Sequence, residues 1–114
     1  MSLELEKSMR IINDIVSFCY YEGAEIFDMY LKHNKDESTE MRVSCHIGGL
    51  EQETIDKMER MLNMPRQHEV EQDYWELSGE TEFSGELSLV GAMSDRADVS
   101  YKDGTLCVVV YRDD

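Results

Sequence analysis

Near the end of the chain two alternating runs meet at a tight-turn dipeptide. Ala97, Val99 and Tyr101 lead into Asp103-Gly104, and Leu106, Val108 and Val110 lead out of it. Apolar residues at a period of two mark strands with one buried face, and Asp-Gly between such runs marks a hairpin turn. A hairpin alone cannot bury its apolar face, so the rest of the chain must supply more sheet and a covering layer.

A further strand is legible where Met41, Val43, Cys45 and Ile47 alternate with Arg42, Ser44 and His46, ending at Gly48 and Gly49. The cover comes from the first third of the chain. Ile12, Ile15, Val16, Cys19, Tyr20, Ile26, Phe27, Tyr30 and Leu31 recur three or four apart, which predicts an amphipathic helix over residues 9–31. Gly23 and Ala24 mark a close contact or a break into two helices, with Ile12, Ile15, Val16, Cys19, Ile26, Phe27 and Tyr30 on the sheet side in either case. The polar run at 33–39, with Asn34, Asp36 and Ser38, ends this element.

A second helix is predicted over 51–63 from Ile55, Met58, Met61 and Leu62, with Pro65 beyond its end. Val70, Tyr74 and Leu77 predict another, stopped by Gly79, with Trp75 off that line and free to flank a crevice or a partner. Leu87, Leu89, Val90 and Met93 predict a short helix within 85–94. The expected fold is therefore α+β, a small, mainly antiparallel sheet covered on one face by helices. Residues 4–114 form one domain without repeats, and residues 1–3 are consistent with an expression-vector remnant.

Charge narrows the function classes. The chain carries 25 Asp plus Glu against 11 Lys plus Arg, a formal net charge of −14, which repels phosphate backbones and anionic lipid headgroups. Nucleic acid and membrane surfaces are not expected partners. The apolar run at 87–93 is far short of the ~20 residues that span a bilayer, and no signal segment opens the chain, so a cytoplasmic protein is expected. Three cysteines, Cys19, Cys45 and Cys107, form an odd set without a CxxC pair, which suits buried free thiols.

None of the reactive residue types forms a pattern that demands chemistry. Cys45 and His46 are neighbours on a strand, so they point to opposite faces and cannot act as nucleophile and base. His33, Cys45, His46 and His68 lack zinc-ligand spacing. Glu69, Glu71, Asp73 and Glu76 read as a solvated helix face, and most of the eight methionines as core fillers.

One stretch, Glu25-Ile26-Phe27-Asp28-Met29-Tyr30-Leu31-Lys32-His33, resembles the helix of the ATP-binding domain in sensor histidine kinases and related anti-sigma-factor kinases. That helix reads Glu, three residues, Asn and a Lys-His-type ending. Gly85-Glu86-Leu87-Ser88-Leu89-Val90 is similar to the family's glycine-rich box before an apolar helix, and Gly104-Thr105-Leu106 with Val108 to its closing strand. The resemblance implies a histidine-kinase ATPase-like sandwich in bacterial two-component signal transduction. It implies Glu25 as the catalytic carboxylate, and Met29, Gly48, Gly49 and Gly85 as the positions of the ATP boxes.

Two departures imply that ATP chemistry is lost. Met29 stands where the family has its magnesium-binding Asn, and a thioether is a poor ligand for a hard cation. No Asp precedes Gly48 and Gly49 to read adenine. The expected member has no cofactor and acts as a regulatory or protein-binding module. An active kinase domain using the Gly48 and Gly85 loops for magnesium-ATP, and an unrelated acidic adaptor for a basic protein partner, are the alternatives.

Overall fold

On the last strand Leu106, Val108, Val110 and Arg112 are buried while Thr105, Cys107, Val109 and Tyr111 are half-buried, so this strand has an inner and an outer face. The computed structural model describes residues 3–63 and 87–113. In these the chain forms α1 (Leu3–Tyr21), β1 (Phe27–His33), β2 (Ser38–His46), α2 (Gln52–Leu62), α3 (Leu87–Ala92), β3 (Arg96–Lys102) and β4 (Thr105–Asp113). The strands make one antiparallel sheet in the order β1-β2-β4-β3. The α+β architecture expected from the periodicities is present.

The core lies between the inner sheet face and the helices. Met41, Val43 and Cys45 of β2 and Leu106, Val108 and Val110 of β4 meet Ile11, Ile12, Ile15 and Cys19 of α1, Met58 and Leu62 of α2, and Leu87 and Val90 of α3. Asp103 and Gly104 both have positive φ, 52° and 78°, the signature of a type I′ turn whose twist matches that of its strands. The Asp-Gly hairpin thus forms where the dipeptide predicted it. The other face carries Arg42 against the Tyr30 ring and Arg96 against the Tyr111 ring, both across paired strands.

The predicted helix over 9–31 is corrected by the structure: α1 ends at Tyr21, and residues 27–33 form a strand. The stop is a glycine-dependent cap, in which the Gly23 amide donates to Tyr20 O at 3.0 Å and the Ala24 amide to Cys19 O at 3.0 Å, with Gly23 at φ 107°. Ile26 and Tyr30 are consequently exposed instead of covering the sheet, Phe27 and Leu31 are half-buried, and Tyr20 also points to solvent. Residues 33–39 join two strands instead of closing a helix. Asp36 accepts from the Ser38 amide and hydroxyl there, which holds its carboxyl below the usual carboxylate range.

The predicted strand over 41–47, the helix over 51–63 and the short helix within 85–94 match β2, α2 and α3. Pro65, His68, Trp75, Gly79, Gly85, the acidic run from Glu69 to Glu76 and the helix expected from Val70, Tyr74 and Leu77 lie outside the described residues. Two helices meet without clearance at Gly91, where a Cβ would overlap the Met61 carbonyl oxygen of α2. Gly91→Ala should therefore destabilise the protein by roughly 2 to 4 kcal/mol, since backbone cannot rotate out of the way as a side chain can. Chemical denaturation of the variant beside the parent checks it; unchanged stability would mean that α2 and α3 are not in contact.

Candidate functional site

The sheet has two edges, and they are treated differently. At β3 the edge is blunted by α2: the Ala97 amide donates to Asn63 Oδ1 at 3.0 Å and Asn63 Nδ2 donates to Ala97 O at 2.9 Å. At β1 the His46 amide donates to Ile26 O at 3.3 Å, which fixes the parity of the ladder. Residues 26, 28, 30 and 32 turn their backbone groups toward β2, and residues 27, 29, 31 and 33 turn theirs outward. The outward groups of Phe27, Met29 and Leu31 meet no donor or acceptor among the described residues.

Exposed apolar side chains gather along the same border. Met29 lies on the inner side of β1, opposite Val43, yet is 61% exposed because α1 does not reach over it. On α1, Leu5 and Met9 stand one turn apart and are 38% and 50% exposed. A largely apolar cleft of about 190 Å³ separates the two elements, lined by Glu4, Leu5 and Ser8 from α1 and by Leu31, His33 and Thr39 from the sheet. The Leu5 side of α1 therefore faces β1 across the cleft. A different surface is acidic: Glu51, Glu53, Asp56 and Glu59 lie exposed on and beside α2, against Lys57 and Arg60.

Of the residues the sequence singles out, Glu25 is exposed just before β1, and Gly48 and Gly49 follow β2. The pairing of Phe27 with Cys45 brings these three to one end of the sheet. The Gly48-Gly49 turn is pinned there by Tyr101, whose hydroxyl donates to Ile47 O at 2.5 Å and accepts from the Leu50 amide at 3.2 Å. Met29 sits farther along β1 and on the inner side, and Gly85 is outside the described residues.

Cys45 is buried and His46 exposed, on opposite faces as strand geometry requires. Burial pushes the thiols of Cys19 and Cys45 up, leaving neither as a thiolate nucleophile. Cys107 is half-buried, on the outer side of β4. Among the described residues no group of three or more His, Cys, Asp or Glu side chains is placed to hold a metal ion, and no helix is long and apolar enough to cross a membrane.

Asp14 was not singled out by the sequence, although it stands beside Ile11 and Ile15 on the buried side of α1. It is 2% exposed, and its Oδ2 has no hydrogen-bond partner among the described residues. Burial pushes its pKa up to about 6, against the opposing pull of Arg10 and of the Asn13 side chain. An aspartate on the buried side of an otherwise apolar helix was the available signal.

No family model, curated protein or solved structure matches the chain. Asp14 supplies a direct check on the geometry. The folded protein favours protonated Asp14 relative to the unfolded chain, so its contribution to stability is full below about pH 4 and lost as pH rises through about 6. Asp14→Asn should then raise stability by about 1 to 3 kcal/mol at pH 8, and the gain should fade between about pH 6 and pH 4. Denaturation curves at pH 8 and pH 4 check this; a loss of stability at pH 8 would mean that the carboxylate has a partner.

Proposed function

We propose that this chain is a protein-binding module, related in architecture to the ATP-binding domain of sensor histidine kinases, with a degraded nucleotide site and a regulatory role in bacterial signal transduction. The observation that carries the reading is the β1 edge, where Phe27, Met29 and Leu31 have no outward backbone partner among the described residues, bordered by the exposed apolar residues Met29, Leu5 and Met9. Backbone groups along such an edge are a ready template for another chain, and the apolar border adds area that is removed from water on contact.

The resemblance rests on the order of the strand β2, the apolar helix α3 and the closing hairpin with Gly104-Thr105-Leu106 along the chain. Residues 25–33, expected as a helix, are a short irregular connection at 25–26 and the strand β1. The residues at the family's box positions do not fit magnesium-ATP: Met29 offers a thioether on a strand edge, apart from the sheet end where Glu25, Gly48 and Gly49 collect. No catalytic step is derived through the nucleotide. The acidic surface of α2 favours a basic segment in any protein partner that docks there.

Calorimetric titration with magnesium-ATP tests the reading. Binding no tighter than millimolar is expected, and Glu25→Gln should leave that result unchanged. A micromolar dissociation constant that Glu25→Gln or Met29→Ala alters would overturn the degraded site in favour of an active kinase domain.

A further inference from the structure

The β1 edge is complementary to itself. Its sequence runs Phe27-Asp28-Met29-Tyr30-Leu31-Lys32-His33. Pairing with Cys45, Val43 and Met41 puts Phe27, Met29 and Leu31 on the inner side of the sheet, and Asp28, Tyr30 and Lys32 on the outer side. An antiparallel partner of the same sequence, centred on Tyr30, sets Phe27 opposite His33, Asp28 opposite Lys32, Met29 opposite Leu31 and Tyr30 opposite itself.

This register satisfies three independent demands. The first is hydrogen bonding: Phe27, Met29 and Leu31 turn their backbone groups outward, and the register joins Met29 of each copy to Leu31 of the other, giving about four new bonds. The second is charge: each Asp28 faces a Lys32 across the strands, an attractive cross-strand pair made twice by the two-fold symmetry. Neighbouring registers with the same hydrogen-bond parity lose this match. Centring on Met29 puts Asp28 opposite Tyr30, and centring on Leu31 puts Lys32 there. The third is apolar cover: Met29, exposed in the single chain, meets Leu31 of the other.

The two-fold axis then runs perpendicular to the sheet, so both copies of α1 lie on the same face. The exposed Leu5 of each lines the cleft toward β1 and hence faces the side of the other copy, with exposed Met9 one turn further along α1. Helix and strand together offer a face about 24 Å long, the length of a seven-residue strand.

We propose, resting on the protein-binding reading, that a second copy of this chain pairs with β1 through its own β1, in the register centred on Tyr30, to make a continuous eight-stranded sheet. The symmetry is closed, so the edges are consumed and the assembly stops at two.

Sedimentation equilibrium of the full chain over about 1 to 500 µM tests it, at about 0.15 M salt to screen the mutual repulsion of two acidic chains. A reversible dimer of the 13.3 kDa chain is expected. Asp28→Lys and Lys32→Asp, which each place like charges opposite one another, should weaken it about tenfold to a hundredfold, and the two combined should restore it. Met29→Pro should abolish it with circular dichroism unchanged, because the amide removed at position 29 faces outward and spares the pairing with β2. A monomer at every concentration, or a dimer indifferent to the charge reversals, overturns the proposal. Neither result touches the nucleotide titration, so failure of the dimer and failure of the degraded-site reading are told apart.

Discussion

The pairing of β2 with β4 is the contact on which the rest of the molecule depends. It joins residues 38–46 to residues 105–113 through nine opposed positions, from Ser38 with Asp113 to His46 with Thr105. With the last strand inserted between β2 and β3, those two strands run parallel, and α2 and α3, which lie between them in the chain, pack on one face of the sheet. That face is where Met41, Val43, Leu106, Val108 and Val110 are buried. The described helices therefore share a single side, and the outer side carries the half-buried Cys107 and Val109 of β4 beside the two arginine-tyrosine stacks. A loss of apolar contacts between β2 and β4 would remove the surface that orients α1, α2 and α3 at once.

One charged side chain closes the end of this arrangement. Arg112 continues the inward alternation of β4 and is 1% exposed, a position where an unpaired guanidinium would be costly. It donates from Nη1 to Met93 O at 2.6 Å and from Nη2 to Glu4 Oε2 at 2.9 Å, tying the last strand to the chain just past α3 and to the first turn of α1. Glu4 keeps contact with water, so part of the burden of burying the pair is avoided. Glu4 also lines the cleft toward β1, and the ion pair thereby fixes the end of α1 that borders the open edge.

Elements with one buried face were legible from sequence, and the element without one was not. β2, β3 and β4 show clean period-two patterns because α1, α2 and α3 cover one side only, and α2 shows its apolar stripe for the converse reason. In β1 the inner residues Phe27, Met29 and Leu31 alternate with Asp28, Tyr30 and Lys32, a strand signal in itself. It was masked because Ile26, Phe27, Tyr30 and Leu31 also fit the three-and-four spacing of the helix before them. Gly23 was the deciding residue: its positive φ ends α1 in a way that no other side chain favours. Asp14 was passed over for a related reason, since a single acidic residue in a helix reads as solvent-facing until packing shows its side. Glu25, Gly48 and Gly49 were legible only as positions; the pairing that gathers them depends on the strand that the spacing concealed.

That concealment has a physical cause that bears on what the strand does. A central strand is constrained on both flanks and a capped edge on one flank and by its cap, as Asn63 constrains Ala97. Among the described residues β1 has β2 on one side and no strand on the other, with apolar groups on both of its faces. A strand that had only to finish the sheet would gain from a polar residue at position 29, since exposing Met there leaves apolar area in water without compensation. Edge strands commonly carry charges that repel further pairing, and Asp28 and Lys32 could serve so if they had the same sign. Their opposite signs, placed symmetrically about Tyr30, reject most registers while permitting one. The pattern is thus selective, not merely protective, and it agrees with the direction in which the free backbone groups of residues 27, 29 and 31 point.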